Sequence, residues 1–257
     1  MDLNLENKVF FISGSSSGIG LGVAISLLKE GCNVILNGRE KEKLIRVKNN
    51  LSKQYKENVS TICGDVNNRK TIDMVKEMAI KRWGHLDGVV ANAGGVKKVH
   101  EWDIEQDEWD WFIENNFSVA YNTIQPLISL IDKNHGSIVV MGSIAGMEEL
   151  GAPIPYSCSK AALLAYAKSL SSRLAKQNIR VNMVSPGNII FPGGNWDLKQ
   201  ISNSDEVKNM LIEKVPLQMF GNPDDIGSVV AFLLSPKARF ITGANIVVDG
   251  GQTIGLN

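Results

Sequence analysis

Short apolar runs that are typical of buried strands alternate along this chain with longer segments of helical periodicity. Such alternation predicts an α/β fold, in which crossover helices join parallel strands and cover both faces of the sheet. We expect strands at residues 9–13, 33–37, 59–63, 86–91, 137–141, 179–184 and 245–248. We expect helices at residues 23–31, 40–50, 71–83, 107–131 (with a bend at Pro126), 155–177, 205–213 and 223–234.

Composition favours a single domain spanning residues 1–257. The chain has 257 residues, of which 44% are hydrophobic, so it can bury a substantial core, and no Pro/Gly/Ser-rich linker or repeat divides it. It carries 27 Lys and Arg against 27 Asp and Glu. Because this balance attracts no polyanion, we do not expect nucleic-acid binding.

Targeting and metal-binding patterns are weak. The apolar run at residues 9–12 is too short and wrongly flanked for a secretory signal, and no run approaches the roughly 20 apolar residues of a membrane span. Three scattered cysteines, expected to be small core residues, are typical of a cytoplasmic protein without disulfides. The dispersed His85, His100 and His135 predict loop or surface positions and no metal site.

A glycine-rich segment follows the first predicted strand and opens the first helix. Gly14, Gly18 and Gly20 give the spacing G-x-x-x-G-x-G. Backbone N–H groups and the positive end of a helix dipole would point at an anion there, and glycine allows its close approach. The segment therefore predicts a cradle for the phosphates of a dinucleotide. A tight turn that binds nothing is the alternative.

The residues at the end of the second predicted strand indicate whether the cofactor is NAD or NADP. NAD-binding proteins usually place a carboxylate about 20 residues beyond the glycine loop, where it holds the ribose 2′-hydroxyl. Here Gly38 stands at that position and Arg39 follows, so a 2′-phosphate would meet a guanidinium instead of a carboxylate. We predict NADP(H). In the alternative, Glu40 binds the ribose of NAD(H) and Arg39 faces solvent.

A tyrosine and a lysine on one predicted helix can form a proton-transfer site. Tyr156 and Lys160 are four residues apart and therefore neighbours on a helix face. A nearby ammonium favours the phenolate, so we expect Lys160 to lower the pKa of Tyr156. Polar and glycine-containing segments that should converge at the carboxyl edge of the sheet include 14–20, 65, 92–95, 143 and 186–187.

These motifs, in this order, resemble the short-chain dehydrogenase/reductase family, and most generally its 3-oxoacyl-carrier-protein reductase-like members. The likeness extends over essentially the whole chain and includes Asn182 and the ending that runs from Ile241 to Gly251. The resemblance implies a single-domain, doubly wound Rossmann-type sheet of seven parallel strands. It also implies a homotetramer, or a homodimer, joined through the long helices and the C-terminal helix and strand.

The resemblance further assigns roles to individual residues. Tyr156 would be the general acid in reduction, Ser143 would hold the substrate oxygen, and Lys160 would bind the nicotinamide ribose. Asn116 would hold a water in a proton relay, with its neighbour Asn115 as the alternative. The positions implied to bind the cofactor are Gly14, Ser15, Ser17, Gly18, Ile19, Gly20, Arg39, Asp65, Val66, Asn92, Ala93, Gly94, Tyr156, Lys160, Pro186, Gly187 and Ile189. Asp65 could instead be an ordinary turn residue.

One departure concerns the segment after Pro186 and Gly187. The family usually has a threonine there that binds the carboxamide, and this chain has none, so Asn188 or a backbone amide near Phe191 would have to replace it. We expect residues 188–215 to form a substrate lid. An apolar pocket could be lined by Phe191, Trp196, Leu198, Met210, Leu211, Trp102 and Met147, although each could equally serve the core or an oligomer contact.

The predicted function is an NADP(H)-dependent oxidoreductase that transfers a hydride between nicotinamide and a small-molecule carbonyl or secondary alcohol. An alternative within this class is an NAD-dependent alcohol, hydroxysteroid or sugar dehydrogenase. A non-catalytic dinucleotide-binding sensor or scaffold is a second alternative, but it would not need Ser143, Tyr156 and Lys160 together. We expect Glu148 and Glu149 to be solvated.

Overall fold

The computed structural model, which describes residues 1–99 and 102–255, contains one sheet of seven parallel strands. The strands are β1 Val9–Ile12, β2 Asn33–Gly38, β3 Val59–Cys63, β4 Gly88–Ala91, β5 Ser137–Met141, β6 Arg180–Pro186 and β7 Asn245–Val248. Their order is β3-β2-β1-β4-β5-β6-β7. Phe11 pairs with Ile35 on one side and with Val89 on the other. The order reverses between β1 and β4, which is where such sheets bind ligands. The predicted fold class is confirmed.

Helices connect the strands on both faces of the sheet. They are α1 Gly18–Lys29, α2 Lys41–Tyr55, α3 Arg69–Trp83, α4 Gln106–Phe112, α5 Val119–Ile124, α6 Ile154–Leu174, α7 Asn195–Ser202, α8 Ser204–Lys214 and α9 Pro223–Leu234. Every predicted helix has a counterpart, although the one at residues 107–131 is not continuous, and α2 ends five residues later than expected. Helix α7 was not expected from the sequence.

The helix predicted at residues 107–131 is interrupted, and not only at Pro126. A wider π-helical segment, Ile113–Ser118, separates α4 from α5, and a tighter 3₁₀ segment, Gln125–Leu130, follows and contains Pro126. Segments of π-helix inside α-helices are rare and occur frequently at functional sites. This one contains Asn116.

Alternating side chains on the strands fill two separate cores. Phe11 and Ile35 belong to the core that packs beneath α3 and α6. Phe10, Ile12 and Leu36 belong to the opposite core, beneath α1 and α9. Because consecutive strand residues point to opposite faces, one run of apolar residues supplies both layers.

Close contact between α1 and α9 fixes the direction of α1. A Cβ atom placed on Gly22 would lie 2.4 Å from Cβ of Pro223, and one placed on Gly227 would lie 2.8 Å from the carbonyl oxygen of Gly22. Asn222 and Asp225 cap the start of α9 reciprocally through side chain and backbone. The glycine loop that precedes α1 is therefore carried on a rigid helix pair.

Several expectations about the surface can be compared with the described residues. None of their helices has the length and apolar character that crossing a bilayer requires. In the same part of the chain no cluster of three His, Cys, Asp or Glu side chains could hold a metal. His85 and His135 lie in loops, and His100 falls outside the described residues. Of the cysteines only Cys32 is buried; Cys63 and Cys158 are exposed because they lie at a strand end and on the outer side of α6.

Candidate active site at the carboxyl edge of the sheet

The glycine loop has the geometry of an anion cradle. Gly14 and Gly18 adopt φ of 62° and 56°, which side chains other than glycine rarely allow. A Cβ on Gly20 would lie 2.5 Å from Nδ2 of Asn92. Within the described residues the Ser17 side chain makes no capping bond to α1, and the first turn of that helix holds no acidic residue. The helix N-terminus thus fits the phosphates of a dinucleotide.

Asn37, which the sequence analysis missed, holds the start of this loop. It is buried at the end of β2, its Oδ1 accepts from the N–H of Gly14 (3.2 Å), and its Nδ2 donates to the carbonyl oxygen of Gly64 (3.0 Å). The hydroxyl of Ser15 accepts from the N–H of Asn37 (2.9 Å). A polar residue at the end of an otherwise buried strand was the signal that could have identified it.

Ser13 and Asn92 tie the glycine loop to the end of β4. The Ser13 hydroxyl accepts from the N–H groups of Asn92 and Ala93, both at 3.0 Å. Nδ2 of Asn92 donates to the carbonyl oxygens of Ser13 and Gly14, at 3.0 and 3.1 Å. Two of these bonds use the Ser13 hydroxyl and two use backbone carbonyl oxygens, so the end of β4 is held firmly against the glycine loop.

The adenosine end of the predicted cofactor site combines a glycine with exposed charges. A Cβ on Gly38 would lie 2.8 Å from Oγ of Ser16, so this position admits no side chain unless Ser16 moves. Arg39 is exposed directly beyond it. Asp65 is also exposed and accepts from the N–H of Asn67 (2.9 Å), which is the turn role left open above. Its other oxygen remains available to a ligand.

Val66 occupies a different environment from the other predicted cofactor residues. It is buried in the core beneath α3 and α6, with 3% of its surface exposed. Only its backbone could meet a nucleotide. Its apolar side chain is needed to anchor the turn between β3 and α3.

Tyr156 and Ser143 meet at the centre of the edge. Ser143 begins a short 3₁₀ turn, Ile144–Gly146, after β5, and its Oγ accepts from the N–H of Ala145 (3.2 Å). Tyr156 lies in the first turn of α6, and its ring packs edge-on against Phe112 at 6.4 Å between centroids. Burial is the larger influence on the pKa of Tyr156, and the Ser143 side chain opposes it by stabilising the phenolate.

The pKa of Tyr156 nevertheless lies above its ordinary value of 10, because desolvation by burial is the larger influence. This corrects the expectation that Lys160 lowers it. The Lys160 ammonium lies 5.7 Å from the centroid of the Tyr156 ring and donates to the carbonyl oxygen of Met141 (3.1 Å). Lys160 is itself buried, and burial lowers its pKa to about 8.

Asn116 is brought to the same place by the π-helical segment. It is fully buried, donates to the carbonyl oxygen of Gly95 (2.9 Å) and accepts from the N–H of Gly95 (3.2 Å). A Cβ on Gly94 would lie 3.1 Å from Oδ1 of Asn116 and 3.6 Å from Nζ of Lys160. Asn115 instead donates to the carbonyl oxygen of Trp111 (2.9 Å) on its own helix. Of the two asparagines, Asn116 is the one whose side chain faces Gly94.

The segment after β6 lies against the glycine loop. Ile189 is buried and pairs with Gly221, and Asn188 donates to Sδ of Met210 (3.5 Å). The Phe191 ring packs over the start of α1, because a Cβ on Gly18 would lie 2.8 Å from Cζ of Phe191. Phe191 was expected to line a substrate pocket, and the sequence gave no indication of its contact with Gly18.

The side chains predicted to line a pocket do not all converge. Trp102 is 78% exposed and Leu198 57% exposed, so neither forms a wall in this structure. Trp196 packs on Phe220 at 5.4 Å between ring centroids. Glu148 is not simply solvated, because its carboxylate accepts from backbone N–H groups near the C-terminus.

Comparison with known proteins places this geometry in a family. Residues 14–253 match the family model described as enoyl-(acyl carrier protein) reductase. The chain is 32% identical to a 3-oxoacyl-acyl-carrier-protein reductase of Staphylococcus epidermidis over 248 residues, which is 96% of this chain and 99% of that protein. The chain belongs to the short-chain dehydrogenase/reductase family. It is therefore an oxidoreductase of the class that acts on carbonyl and alcohol groups with a nicotinamide cofactor.

Two further relatives show the range of substrates within this family. The chain is 31% identical to 2-(S)-hydroxypropyl-CoM dehydrogenase 3 of Xanthobacter autotrophicus over 263 residues, covering 98% of this chain and 99% of that protein. The structure of L-sorbose reductase from Gluconobacter frateurii, complexed with NADPH and L-sorbose, matches with a TM-score of 0.91 and 28% identity over all of both chains. Membership of the family therefore fixes the chemistry more tightly than the substrate.

Proposed function

We propose that this chain is an NADP(H)-dependent reductase that converts a small-molecule carbonyl into a secondary alcohol. The observation that carries the proposal is the meeting of Ser143 and Tyr156 beside the buried Lys160, at the edge where the sheet order reverses. The nearby cradle of Gly14, Gly18 and Gly20 fits a dinucleotide. When bound, the nicotinamide supplies a hydride to the carbonyl carbon.

The three side chains act on the substrate oxygen and on the cofactor. Ser143 donates a hydrogen bond to the carbonyl oxygen and stabilises negative charge as it develops there. Tyr156 gives its proton to that oxygen. A phenol with a raised pKa is protonated at neutral pH, which is the form that a proton donor needs. Lys160 would bind the hydroxyls of the nicotinamide ribose, and Asn116 would hold a water linking Lys160 to solvent.

Preference for NADP(H) is supported by the end of β2. Gly38 keeps a carboxylate away from the ribose, Ser16 lies against it, and Arg39 stands exposed one residue later. A 2′-phosphate could accept hydrogen bonds from both side chains, and position 38 carries no carboxylate to repel it. The NADPH found in L-sorbose reductase agrees with this preference.

Replacing Gly38 with aspartate should reverse the cofactor preference. The new carboxylate would repel a 2′-phosphate, and its Cβ would press on Oγ of Ser16, which lies 2.8 Å from that position. We expect kcat/KM with NADPH to fall by about 100-fold, since close like charges cost several kcal/mol. Initial rates with NADPH and NADH measure the change, and E40Q is the control that removes a neighbouring carboxylate. A G38D enzyme that still prefers NADPH would remove this part of the proposal.

The substrate class we propose is a ketone whose carbonyl carbon is flanked by carbon on both sides. The relatives are named for a 3-oxoacyl-acyl-carrier-protein, 2-(S)-hydroxypropyl-CoM and L-sorbose, each of which has a carbonyl or hydroxyl flanked by carbon. The decisive experiment is a panel containing these three types, followed through the absorbance of NADPH. Oxidation of NADPH by at least one of them supports the proposal, and no turnover across the panel favours a dinucleotide-binding sensor.

We further propose that residues 188–215 form a lid over the substrate. It holds α7 and α8, and its first loop rests on Gly18 through Phe191. Gly193 has a φ of 75° in open space, which suits a hinge. Phosphates docking at α1 would meet the Phe191 ring, so we expect this loop to move when the cofactor binds.

We also propose that the chain forms a homotetramer, or a homodimer as its half. On α6, Ala161 and Ala165 are exposed, whereas Ala167 packs in the core and cannot contribute to an interface. Tyr121 on α5 is 46% exposed and packs edge-on against Tyr166 of α6. At the edge of the sheet, β7 is half-buried. Light scattering coupled to gel filtration should give four times the 28.1 kDa chain mass, and a monomer would contradict this proposal.

A further inference from the structure

The turn that carries Ser143 is attached to the C-terminal segment through Glu148. Residues 143–148 form the serine turn, and residues 249–255 form what we call the C-terminal strap. The Glu148 carboxylate accepts from the N–H of Ile254 through both oxygens (3.0 and 3.2 Å) and from the N–H of Gly255 (2.5 Å). A carboxylate that accepts several backbone N–H bonds makes charge-assisted bonds, which are the stronger kind.

The far end of the strap is held by these bonds and not by apolar burial. The Ile254 side chain is 88% exposed, so it gains little from packing. At the near end Asp249 folds the strap on itself by accepting from the N–H of Thr253 (2.7 Å) and from its hydroxyl (2.8 Å). Glu148 therefore decides whether the last described residues lie against the serine turn.

The strap also contacts two other parts of the candidate site. A Cβ on Gly187 would lie 2.6 Å from Cβ of Asp249, which places the strap against the end of β6. The N–H of Leu217 donates to the carbonyl oxygen of Gly250 (3.1 Å), which joins the strap to the chain that leaves the lid. One segment thus spans the serine turn, the end of β6 and the base of the lid.

The serine turn connects Glu148 to Ser143 through a continuous set of backbone hydrogen bonds. The N–H groups of Met147 and Glu148 both donate to the carbonyl oxygen of Ile144 (2.9 and 3.1 Å), so the turn is continuous from Ser143 to Glu148. Its inner side is rigid, because a Cβ on Gly146 would lie 2.7 Å from the backbone of Lys160. Its outer side is attached through Glu148 and through Met147, whose Sδ accepts from Asn245 (3.0 Å).

We propose that Glu148 is a positioning residue, which clasps the C-terminal strap and thereby fixes Ser143 against the carbonyl oxygen of the substrate. This inference rests on the proposed reductase function for its kinetic consequence, but the clasp itself can be observed without turnover. The carboxylate does not touch the reacting atoms and acts only through the serine turn.

Matched variants on both sides of the clasp test the proposal. E148Q weakens the acceptor and E149Q is its control, because among the described residues Glu149 accepts only from the N–H of Gly151 in its own turn (2.8 Å). I254P removes the N–H donor and I254A is its control, because alanine keeps that donor. If Glu148 and Ile254 act through the same hydrogen bonds, the kcat/KM of the E148Q/I254P double variant should not fall below that of the less active single variant.

Amide hydrogen exchange of the whole chain gives the first readout. In E148Q we expect faster exchange at Ile254 and Gly255 by about tenfold, which is the cost of a weakened charge-assisted hydrogen bond. Exchange at Ala145, whose N–H donates to Ser143, should also quicken, which a strap that positions nothing would not cause. Unchanged exchange at Ala145 overturns the proposal whether or not the enzyme turns over.

Steady-state kinetics with a carbonyl substrate and NADPH give the second readout. We expect E148Q and I254P to lower kcat/KM for the carbonyl by about tenfold while the KM for NADPH stays unchanged, because the cradle lies elsewhere. Equal losses for both substrates, or none for either, would overturn the proposal. A wild-type chain that reduces no carbonyl would instead contradict the proposed function, and the exchange at Ala145 would still decide the role of Glu148.

Discussion

Replacing Tyr156 with phenylalanine is expected to lower kcat for carbonyl reduction by about 10²–10⁴-fold, which is the usual contribution of a positioned general acid. The phenylalanine keeps the edge-on contact with Phe112 and removes only the hydroxyl that faces Ser143. Binding of NADPH, measured by fluorescence titration, should change little because the cradle at Gly14–Gly20 is untouched. Single-turnover rates would then separate lost chemistry from lost binding.

A second tyrosine on the same helix provides the control. Tyr166 also has its pKa raised by burial, but its hydroxyl accepts from Nε2 of Gln125 (3.1 Å) away from Ser143. We therefore expect Y166F to keep most of the activity. Similar losses in the two variants would show that the effect comes from the fold of α6, and near-normal turnover by Y156F would exclude Tyr156 as the acid.

Replacing Lys160 with methionine should abolish most activity and yet stabilise the fold. Burial lowers the lysine pKa from 10.5 to about 8, which shows that the fold holds its charged form at a cost. That shift corresponds to a cost of roughly 3 kcal/mol, which methionine removes. Methionine also loses the hydrogen bond to Met141, which offsets about 1 kcal/mol of this gain. We expect K160M to raise the free energy of unfolding at pH 7 by about 1–2 kcal/mol and to lower kcat by at least about 100-fold.

The stabilising effect of K160M should depend on pH in a defined direction. Below pH 8 the lysine is charged in both the folded and the unfolded chain, so the full free-energy cost of burying its charge is present. Between pH 8 and 10.5 the folded chain loses this proton first, and the cost declines as pH rises. Urea unfolding at pH 7 and near pH 10 should therefore show a smaller difference at the higher pH. A K160M chain that is less stable than wild type at both would contradict the cost of burying Lys160.

The sheet could be predicted because its determinants are local. Apolar strands such as β1 and β5, each followed by a glycine or polar turn, repeat often enough to specify parallel units whose carboxyl ends must share an edge. The same logic placed Ser143 at this edge, whereas the family resemblance assigned Tyr156 to the same site. The polar network of Asn37 was also visible in principle, as an amide at the end of a buried strand.

What escaped prediction depends on contacts between distant segments. The π-helical segment around Asn116 forms where α4 and α5 meet the loop at Gly95, and no periodicity in residues 107–131 signals it. Glu148 and Ile254 are 106 residues apart, so the sequence does not indicate that they are in contact. The prediction that the pKa of Tyr156 is lowered was wrong. The sequence shows the lysine four residues away, but it does not show the burial that raises this pKa.

Transfer of deuterium tests the central claim most directly. Wild-type chain is given NADPH deuterated at nicotinamide carbon 4, on either face in turn, together with whichever carbonyl of the panel it reduces. Mass spectrometry of the alcohol should show one deuterium on the former carbonyl carbon for one face only, and its formation should almost cease in Y156F. An alcohol without deuterium from either face, or no alcohol at all, would contradict direct hydride transfer at this site.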